Sequence, residues 1–248
     1  MRVLIIVPAF NEQEALGGLL GEIRGLSPAA LGTELETVVV DDGSSDRTAE
    51  VARQGGARVL RLCGNLGIGG AVQSGLRLAA RESFDYAVQI DGDGQHPPAE
   101  LHHLLAAAKA AERPDLIVGT RYHKQGDGFR STLLRRLGSW WLRAILRFVH
   151  VRVTDPTSGY RLYGPRALAL FDETYPYDFP EPESLAVARA AGLRIAEVPV
   201  TMRERQGGRS SIAGFSTLYY MFKVTIAIAL TYLRSRKRVA KENPTDAT

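Results

Sequence analysis

Apolar residues in the first half of the chain come in short runs, separated by stretches where they recur every third or fourth position. The runs are "VLIIVP" (3–8), "ETVVVDD" (36–42), "ARVLRL" (57–62), "YAVQID" (86–91) and "DLIVGTR" (115–121). Their length and content of branched residues predict strands. Between them, "NEQEALGGLLGEIRGL", "SDRTAEVARQ", "GGAVQSGLRLAARE" and "PPAELHHLLAAAKAA" carry apolar residues at helical spacing. Strands alternating with helices predict an α/β domain on a mostly parallel sheet. No internal repeat appears, and only "ENPTDAT" reads as a disordered tail.

In open parallel sheets, ligands gather beyond the carboxyl ends of the strands, where loops and helix N-termini converge. Pro8, Phe10 and Glu12 follow the first strand, Asp41 and Asp42 the second, Asn65 and Gly67 the third, Asp91 and Asp93 the fourth. The glycine-rich "GNLGIGGAVQSG" (64–75) lacks G-x-G-x-x-G spacing and follows the third strand, and no G-K-[ST] occurs, so both familiar phosphate loops are excluded. A glycine turn before a helix either holds an anion or allows tight packing. In "VVVDDGSSDRTAE", Ser45 is the expected helix N-cap and Asp46 lies in the first turn, leaving Asp41 and Asp42 to close a turn or to accept hydrogen bonds from a base or ribose.

Asp91 and Asp93 share one side of an extended segment, with Gly92 and Gly94 allowing close approach of a ligand. Two hard oxygen donors suit Mg²⁺ or Mn²⁺ bound to a diphosphate, and Gln95 offers a neutral oxygen. A solvated turn is the bland alternative. The nucleophile pair of a haloacid-dehalogenase-like phosphatase is another, although Gln95 stands after Gly94 where D-G-T would be expected.

At 248 residues and 45% hydrophobic content, the chain suits one large domain or two small ones. The single cysteine, Cys63, and an N-terminal apolar run too short for a signal peptide indicate a reducing cytoplasmic setting. Charge is unevenly divided: residues 1–120 hold 10 Lys+Arg against 16 Asp+Glu, and residues 121–248 hold 21 against 11. The basic half faces an anionic partner or merely solvent. Nucleic acid is not expected, because no recognised motif or stacking platform accompanies the charge.

Taken in order, "VPAFNEQEAL", "VVVDDGSSDRTAEVA", "GNLGIGGAVQSGL", "QIDGDGQHPPAEL", "LIVGTRY" and "DPTSGYRLY" resemble the family-2 glycosyltransferases of GT-A fold, especially those that use dolichyl or other polyprenyl phosphates. The resemblance covers about residues 1–212: a nucleotide-sugar half (1–120) and an acceptor half (121–212), followed by a C-terminal segment (213–248). It implies inverting transfer from a UDP- or GDP-sugar, with Pro8, Phe10, Glu12 and Asp42 around the nucleotide. It also implies Asp91, Asp93 and Gln95 at the divalent metal. Arg121 and the pair Arg135 and Arg136 match positions that meet donor or acceptor phosphates. Arg205, Arg209 and Ser210 resemble a basic loop that closes over the donor. Asp155, in "DPTSGYR", is expected to orient the acceptor or act as a base, with Ser158 and Arg161 nearby.

A phosphate acceptor is largely dianionic at neutral pH and attacks without a general base, whereas a sugar hydroxyl needs one. Asp155, Glu181 and Glu183 keep the hydroxyl reading open, while "PEPE" departs from the Glu-Asp pair of many hydroxyl-directed relatives. A nucleotide-binding module without catalysis is the non-enzymatic alternative. The helix expected in "LLRRLGSWWLRAILRFVHVR" (133–152) is basic and tryptophan-bearing, as interfacial helices are. "FSTLYYMFKVTIAIALTYL" (215–233) is divided by Lys223 and leads into "RSRKRVAK". It is too short in uncharged length to span a bilayer, which suggests an interfacial anchor or a helix docked on a membrane subunit, a second copy or its own domain.

Overall fold

A computed structural model describes residues 1–122, 133–203 and 216–242; the side chains of 133–137, 139, 216–220 and 235–242 lie outside the described set. The elements in chain order are β1 (Arg2–Ala9), α1 (Gln13–Arg24), α2 (Pro28–Leu31), β2 (Glu34–Asp41), α3 (Thr48–Gln54), β3 (Arg58–Arg61), α4 (Gly67–Arg81), β4 (Tyr86–Gln89), α5 (Leu101–Ala108), β5 (Leu116–Thr120), α6 (Leu133–Phe148), β6 (Arg161–Tyr163), α7 (Pro165–Glu173), α8 (Pro180–Ala190), β7 (Ile195–Pro199) and α9 (Ser216–Glu242). The seven strands form one sheet in the order β3-β2-β1-β4-β6-β5-β7. All neighbours are parallel except β6, which runs antiparallel to both β4 and β5.

The alternation of side chains along β1 explains the three layers. Val3, Ile5 and Val7 enter a core with α1 and α5, through Leu16, Leu20, Leu101 and Leu104. Leu4 and Ile6 enter the opposite core, with Val72 and Leu76 of α4, Phe171 of α7 and Leu185 of α8. Both faces of the central strands are therefore dry, as a parallel sheet requires. The glycine-rich stretch is explained by packing. A Cβ at Gly69 would lie 2.5 Å from the Pro176 carbonyl oxygen, and one at Gly75 would overlap Ile6.

The five strands of the apolar pattern are present, while β6, β7, α7 and α8 were not foreseen. Another expectation needs correction: α3 is not capped by Ser45. The Asp46 carboxylate accepts from the Thr48 backbone N–H at 2.9 Å, and Ser45 instead binds Asn11. At the C-terminus, α9 buries Val224 and Ile228 on its own domain, and Trp141 Nε1 donates to Thr225 Oγ1 at 3.1 Å. Phe222, Ile226, Leu230 and Leu233 form an exposed stripe along α9. Among the described residues no helix is long and apolar enough to cross a membrane.

Candidate active site

The first two loops at the carboxyl edge are laced together. Asn11 adopts the left-handed conformation, which asparagine tolerates, and its side-chain oxygen accepts from the Ser45 backbone N–H at 2.9 Å. In return, the Asn11 and Glu12 N–H groups donate to Ser44 Oγ at 3.0 Å and Thr48 Oγ1 at 2.9 Å. This fixes the segment Pro8–Glu12 beside the end of β2, with the Phe10 side chain exposed. Asp41 is wholly buried and structural, accepting from the Ser44 N–H at 3.0 Å and lying 3.2 Å from Arg61 Nε.

Asp42 is also buried, and its Oδ1 accepts from the Leu66 N–H at 2.7 Å at the start of α4. Burial raises its pKa, opposed by the N–H groups of Leu66 and Gly67 and reinforced by Asp41. A protein carboxylate thus meets the N-terminus of α4, where the glycine turn left room for an anion.

After β4 the chain turns sharply. The Asp91 N–H donates to His96 Nδ1 at 3.1 Å, and the His96 ring stacks on Tyr160 at 5.1 Å. An Nδ1 that accepts is unprotonated, so the 3.7 Å approach of His96 to Asp91 is not an ion pair. Asp91 Oδ1 accepts from Gln89 Nε2 at 2.9 Å, while the Asp91 side chain stays 31% exposed. Asp93 accepts from the Gln95 N–H at 3.0 Å and from Gln95 Nε2 at 3.0 Å, so Gln95 here orients Asp93 through its amide. Gly92 is closely packed: a Cβ there would press on the Pro8 carbonyl oxygen at 3.0 Å. At Gly159 a Cβ would stand 2.6 Å from Asp91 Oδ2 and 2.9 Å from Oδ1, so a larger residue there would push the Asp91 side chain aside.

Arg121, just past β5, donates through Nε to Asp155 Oδ2 at 2.7 Å and through Nη2 to Oδ1 at 3.4 Å. Asp155 is fully buried and Arg121 largely so. Burial penalises the guanidinium, but the Asp155 charge and hydrogen bond, with Tyr122 and Asp91 adding, raise its pKa overall. The pair is seated by Glu197 of β7, which accepts from the backbone N–H groups of Thr154 at 2.8 Å and Asp155 at 3.0 Å. Both Asp155 oxygens are directed at Arg121 and so fix the guanidinium in place.

Beneath this edge Arg161 is fully buried. It donates to the Ser158 carbonyl oxygen at 2.8 Å, Ser184 Oγ at 2.6 Å and the Pro156 carbonyl oxygen at 3.2 Å. Glu181, in the first turn of α8, has a raised pKa: burial is the main cause, countered by Arg161 and reinforced by Asp91. Its charge is thus sensed at the site. Glu183 instead accepts from Thr231 Oγ1 of α9 at 3.2 Å, in the helix interface.

One sheet edge therefore gathers Pro8, Phe10, Glu12, Asp42, Asp91, Asp93, Gln95, Arg121, Asp155 and Glu181. Arg205, Arg209 and Ser210 lie outside the described residues, as do the side chains of Arg135 and Arg136 on α6. His96, Gly159 and Glu197 were not singled out from the sequence. Glu197 carried a signal, as the sole acid in the apolar run "IAEVPV".

Residues 4–170 match the family model described as "Glycosyl transferase family 2". The undecaprenyl-phosphate mannosyltransferase of Micrococcus luteus is 35% identical over 224 residues, covering 86% of this chain and 88% of that protein. The polyprenol monophosphomannose synthase of Mycolicibacterium smegmatis is 31% identical over 237 residues, covering 90% and 85%. The mannosyl-3-phosphoglycerate synthase structure from Rubrobacter xylanophilus superimposes with a TM-score of 0.73 at 20% identity, covering 96% of this chain and 75% of that one, and so supports the GT-A fold. With a model match over more than half its length and such relatives along nearly all of it, this chain belongs to glycosyl transferase family 2 and is a glycosyltransferase.

Proposed function

We propose that the protein transfers a sugar from a UDP- or GDP-linked donor to a polyprenyl phosphate, with inversion, at the cytoplasmic face of a membrane. Two relatives whose names specify polyprenyl acceptors, aligned along most of this chain, support the acceptor class. The observation that carries the reading is that the Asp91–Gly92–Asp93 turn and the buried Arg121–Asp155 fork share one sheet edge, with Asp91 near enough to help raise the Arg121 pKa. Carboxylates and an oriented guanidinium, side by side, suit a diphosphate leaving group and an incoming phosphate.

In this reading, Pro8, Phe10, Glu12 and Asp42 hold the nucleotide, and Arg121, aided by Arg135, holds phosphate oxygens through the guanidinium hydrogens not turned to Asp155. Asp91 and Asp93 would hold Mg²⁺ or Mn²⁺. The fit is supported by the partial exposure of Asp91 and by the missing side chain at Gly159, which leaves its oxygens open. When bound, such an ion neutralises charge on the departing diphosphate. Among the described residues no group of three or more His, Cys, Asp or Glu side chains is placed to hold a metal, so donor oxygens and water would complete the shell. An acceptor phosphate oxygen forms the bond to the anomeric carbon while the carbon–oxygen bond to the nucleoside diphosphate breaks, the leaving group taking the electron pair. No proton need move. Arg205, Arg209 and Ser210 would close over the donor.

The exposed Trp140, Trp141 and Phe148 of α6 and the apolar stripe of α9 support contact with a membrane surface. A membrane subunit or a second copy of this chain would suit the same stripe. One observation favours a hydroxyl acceptor instead: Glu181, with its pKa raised by burial near Asp91, has the properties of a general base. The test is to supply labelled UDP- and GDP-sugars with Mg²⁺ or Mn²⁺, with and without polyprenyl phosphate. Label entering the organic phase only with lipid, metal and intact Asp93 supports the proposal; donor binding without lipid product across the panel overturns it.

A further inference from the structure

The end of the molecule away from the carboxyl edge holds a second concentration of chemistry. After α6 the chain turns, with His150 in the left-handed conformation, and then runs without regular structure toward Asp155. Val149, Val151 and Val153 are buried while His150 and Arg152 are exposed. Together with Arg147 from the last turn of α6 and Arg189 from the last turn of α8, they line a cavity of about 480 Å³. An adjoining hollow of about 310 Å³ continues past His150, Arg152 and Arg189 to Gly192 and Ile195, at the amino-terminal edge of β7. It is therefore on the side of the sheet opposite the site described above.

Among the described lining residues of the larger cavity, all four are cationic or can become so, and none is acidic. Among the described residues Arg24, Arg53 and Arg81 are in no ion pair, but each stands on a different helix, so convergence on one concavity is what sets the cavity arginines apart; other arginines are paired. Arg58, Arg61, Arg77, Arg121, Arg166, Arg194 and Arg203 each have a carboxylate partner within 4 Å, and the nearby Asp115 is already shared by Arg166 at 3.0 Å and Arg194 at 3.7 Å. Arg147, Arg152 and Arg189 have no carboxylate partner among the described residues. Arginines complement helix C-termini, which accounts for Arg147 and Arg189 singly. That does not account for Arg152, on the irregular segment after α6, or for the convergence of three segments on one concavity.

We propose that this cavity is a second anion site, which takes a phosphate-bearing molecule independently of the donor site. Guanidinium forks match phosphate oxygens, and the volume exceeds a bare phosphate, leaving room for what the phosphate is attached to. Phe148, the most exposed of the large apolar residues among those described at 81%, follows Arg147 directly in sequence, as suits a lipid headgroup; a soluble phosphate ester would use the same cations.

The test uses the full chain, the triple variant Arg147→Gln/Arg152→Gln/Arg189→Gln, and a charge-matched control, Arg24→Gln/Arg53→Gln/Arg81→Gln, on exposed positions elsewhere. One arm follows the His150 imidazole by NMR during titration with inorganic phosphate at constant ionic strength. The other measures flotation with phosphatidylcholine vesicles with and without phosphatidylglycerol. The cavity variant is expected to weaken at least one interaction by about a hundredfold, at roughly fivefold per basic group near an anionic surface, with a much smaller loss in the control. Saturable phosphate binding lost in the cavity variant identifies a soluble phosphate site; loss confined to vesicles identifies a headgroup site. Equal behaviour of the two triple variants in both arms overturns the proposal. Should the triple variant not fold, Arg152→Gln alone, compared with Arg53→Gln, decides the question. Sugar transfer to detergent-dispersed acceptor is expected to be unchanged, so failure here is separable from failure of the transfer reading.

Discussion

Replacing Gly159 with alanine tests whether the loop before β6 sets the position of Asp91. The added Cβ would lie 2.6 Å from Asp91 Oδ2, 2.9 Å from Oδ1 and 3.0 Å from Gln89 Nε2. Ordinary carbon-to-oxygen approach is about 3.3 Å, so one side must yield by roughly 0.7 Å. Overpacking of this kind costs about 1–3 kcal/mol. In a chain of this size that lowers Tm by roughly 2–4 °C per kcal/mol. Activity should suffer more, because misplacement of a reacting or binding group by about 1 Å costs roughly 10²-fold. The expected result is a fall in kcat/KM of about 10–100-fold alongside a modest drop in Tm, read by label transfer and thermal unfolding. Gly18→Ala, on the exposed face of α1 with nothing within 4 Å of its Cβ, is the control. It should stabilise by about 0.5–1 kcal/mol without changing transfer. Unchanged kinetics in Gly159→Ala would refute the reasoning, because Asp91 would then tolerate displacement or the loop would move freely.

Three further outcomes follow. Asp155→Asn leaves the Arg121 guanidinium without its counter-charge, so it should cost about 3 kcal/mol of stability and most transfer; Arg121→Met/Asp155→Leu should recover stability and no activity, and wild-type transfer in Asp155→Asn would show that the fork is dispensable. Because the folded pKa of Glu181 lies above its ordinary 4.5 through burial, the native state holds the extra proton between those values and stability falls as pH rises through the folded value. Glu181→Gln should therefore be more stable than wild type above that window and equal to it below pH 4.5; denaturant unfolding against pH checks this, and a destabilised variant at neutral pH would contradict it. Asp93→Asn should retain donor binding in part while lowering transfer by about 10²-fold or more, and chelation of divalent ions should do the same to the wild type.

The legible parts of the fold were those with local causes. Strands β1, β4 and β5 carry continuous apolar runs because both faces are buried, β2 is buried only over its second half and β3 is a short, partly exposed edge strand, while α1, α4 and α5 carry amphipathic spacing. By contrast, β6 is three residues long and wedged antiparallel between parallel strands, and β7 has Glu197 facing the Thr154–Asp155 turn. Helices α7 and α8 had a readable signal, a proline in the first turn of each at Pro165 and Pro180, and α7 has amphipathic spacing as well, whereas α8 has little.

The site divides in the same way. Asp91, Asp93, Arg121 and Asp155 stand in short motifs whose chemistry is local. The roles of Gly159, His96 and Glu197 come from contacts between distant segments: Glu197 holds residues 42 and 43 positions away. Side-chain capping was likewise decided by geometry, with Asp46 rather than Ser45 in line with the α3 backbone.

The central claim is that the sugar is passed to a phosphate oxygen. Phosphorus NMR of a reaction containing the donor, a divalent ion and a short-chain polyprenyl phosphate tests it most directly. The account predicts loss of the acceptor's phosphomonoester resonance and growth of a sugar-linked phosphodiester, in step with release of nucleoside diphosphate and abolished by Asp93→Asn. Release of nucleoside diphosphate with the phosphomonoester intact, and sugar recovered on a hydroxyl, would contradict it and make Glu181 the base to examine.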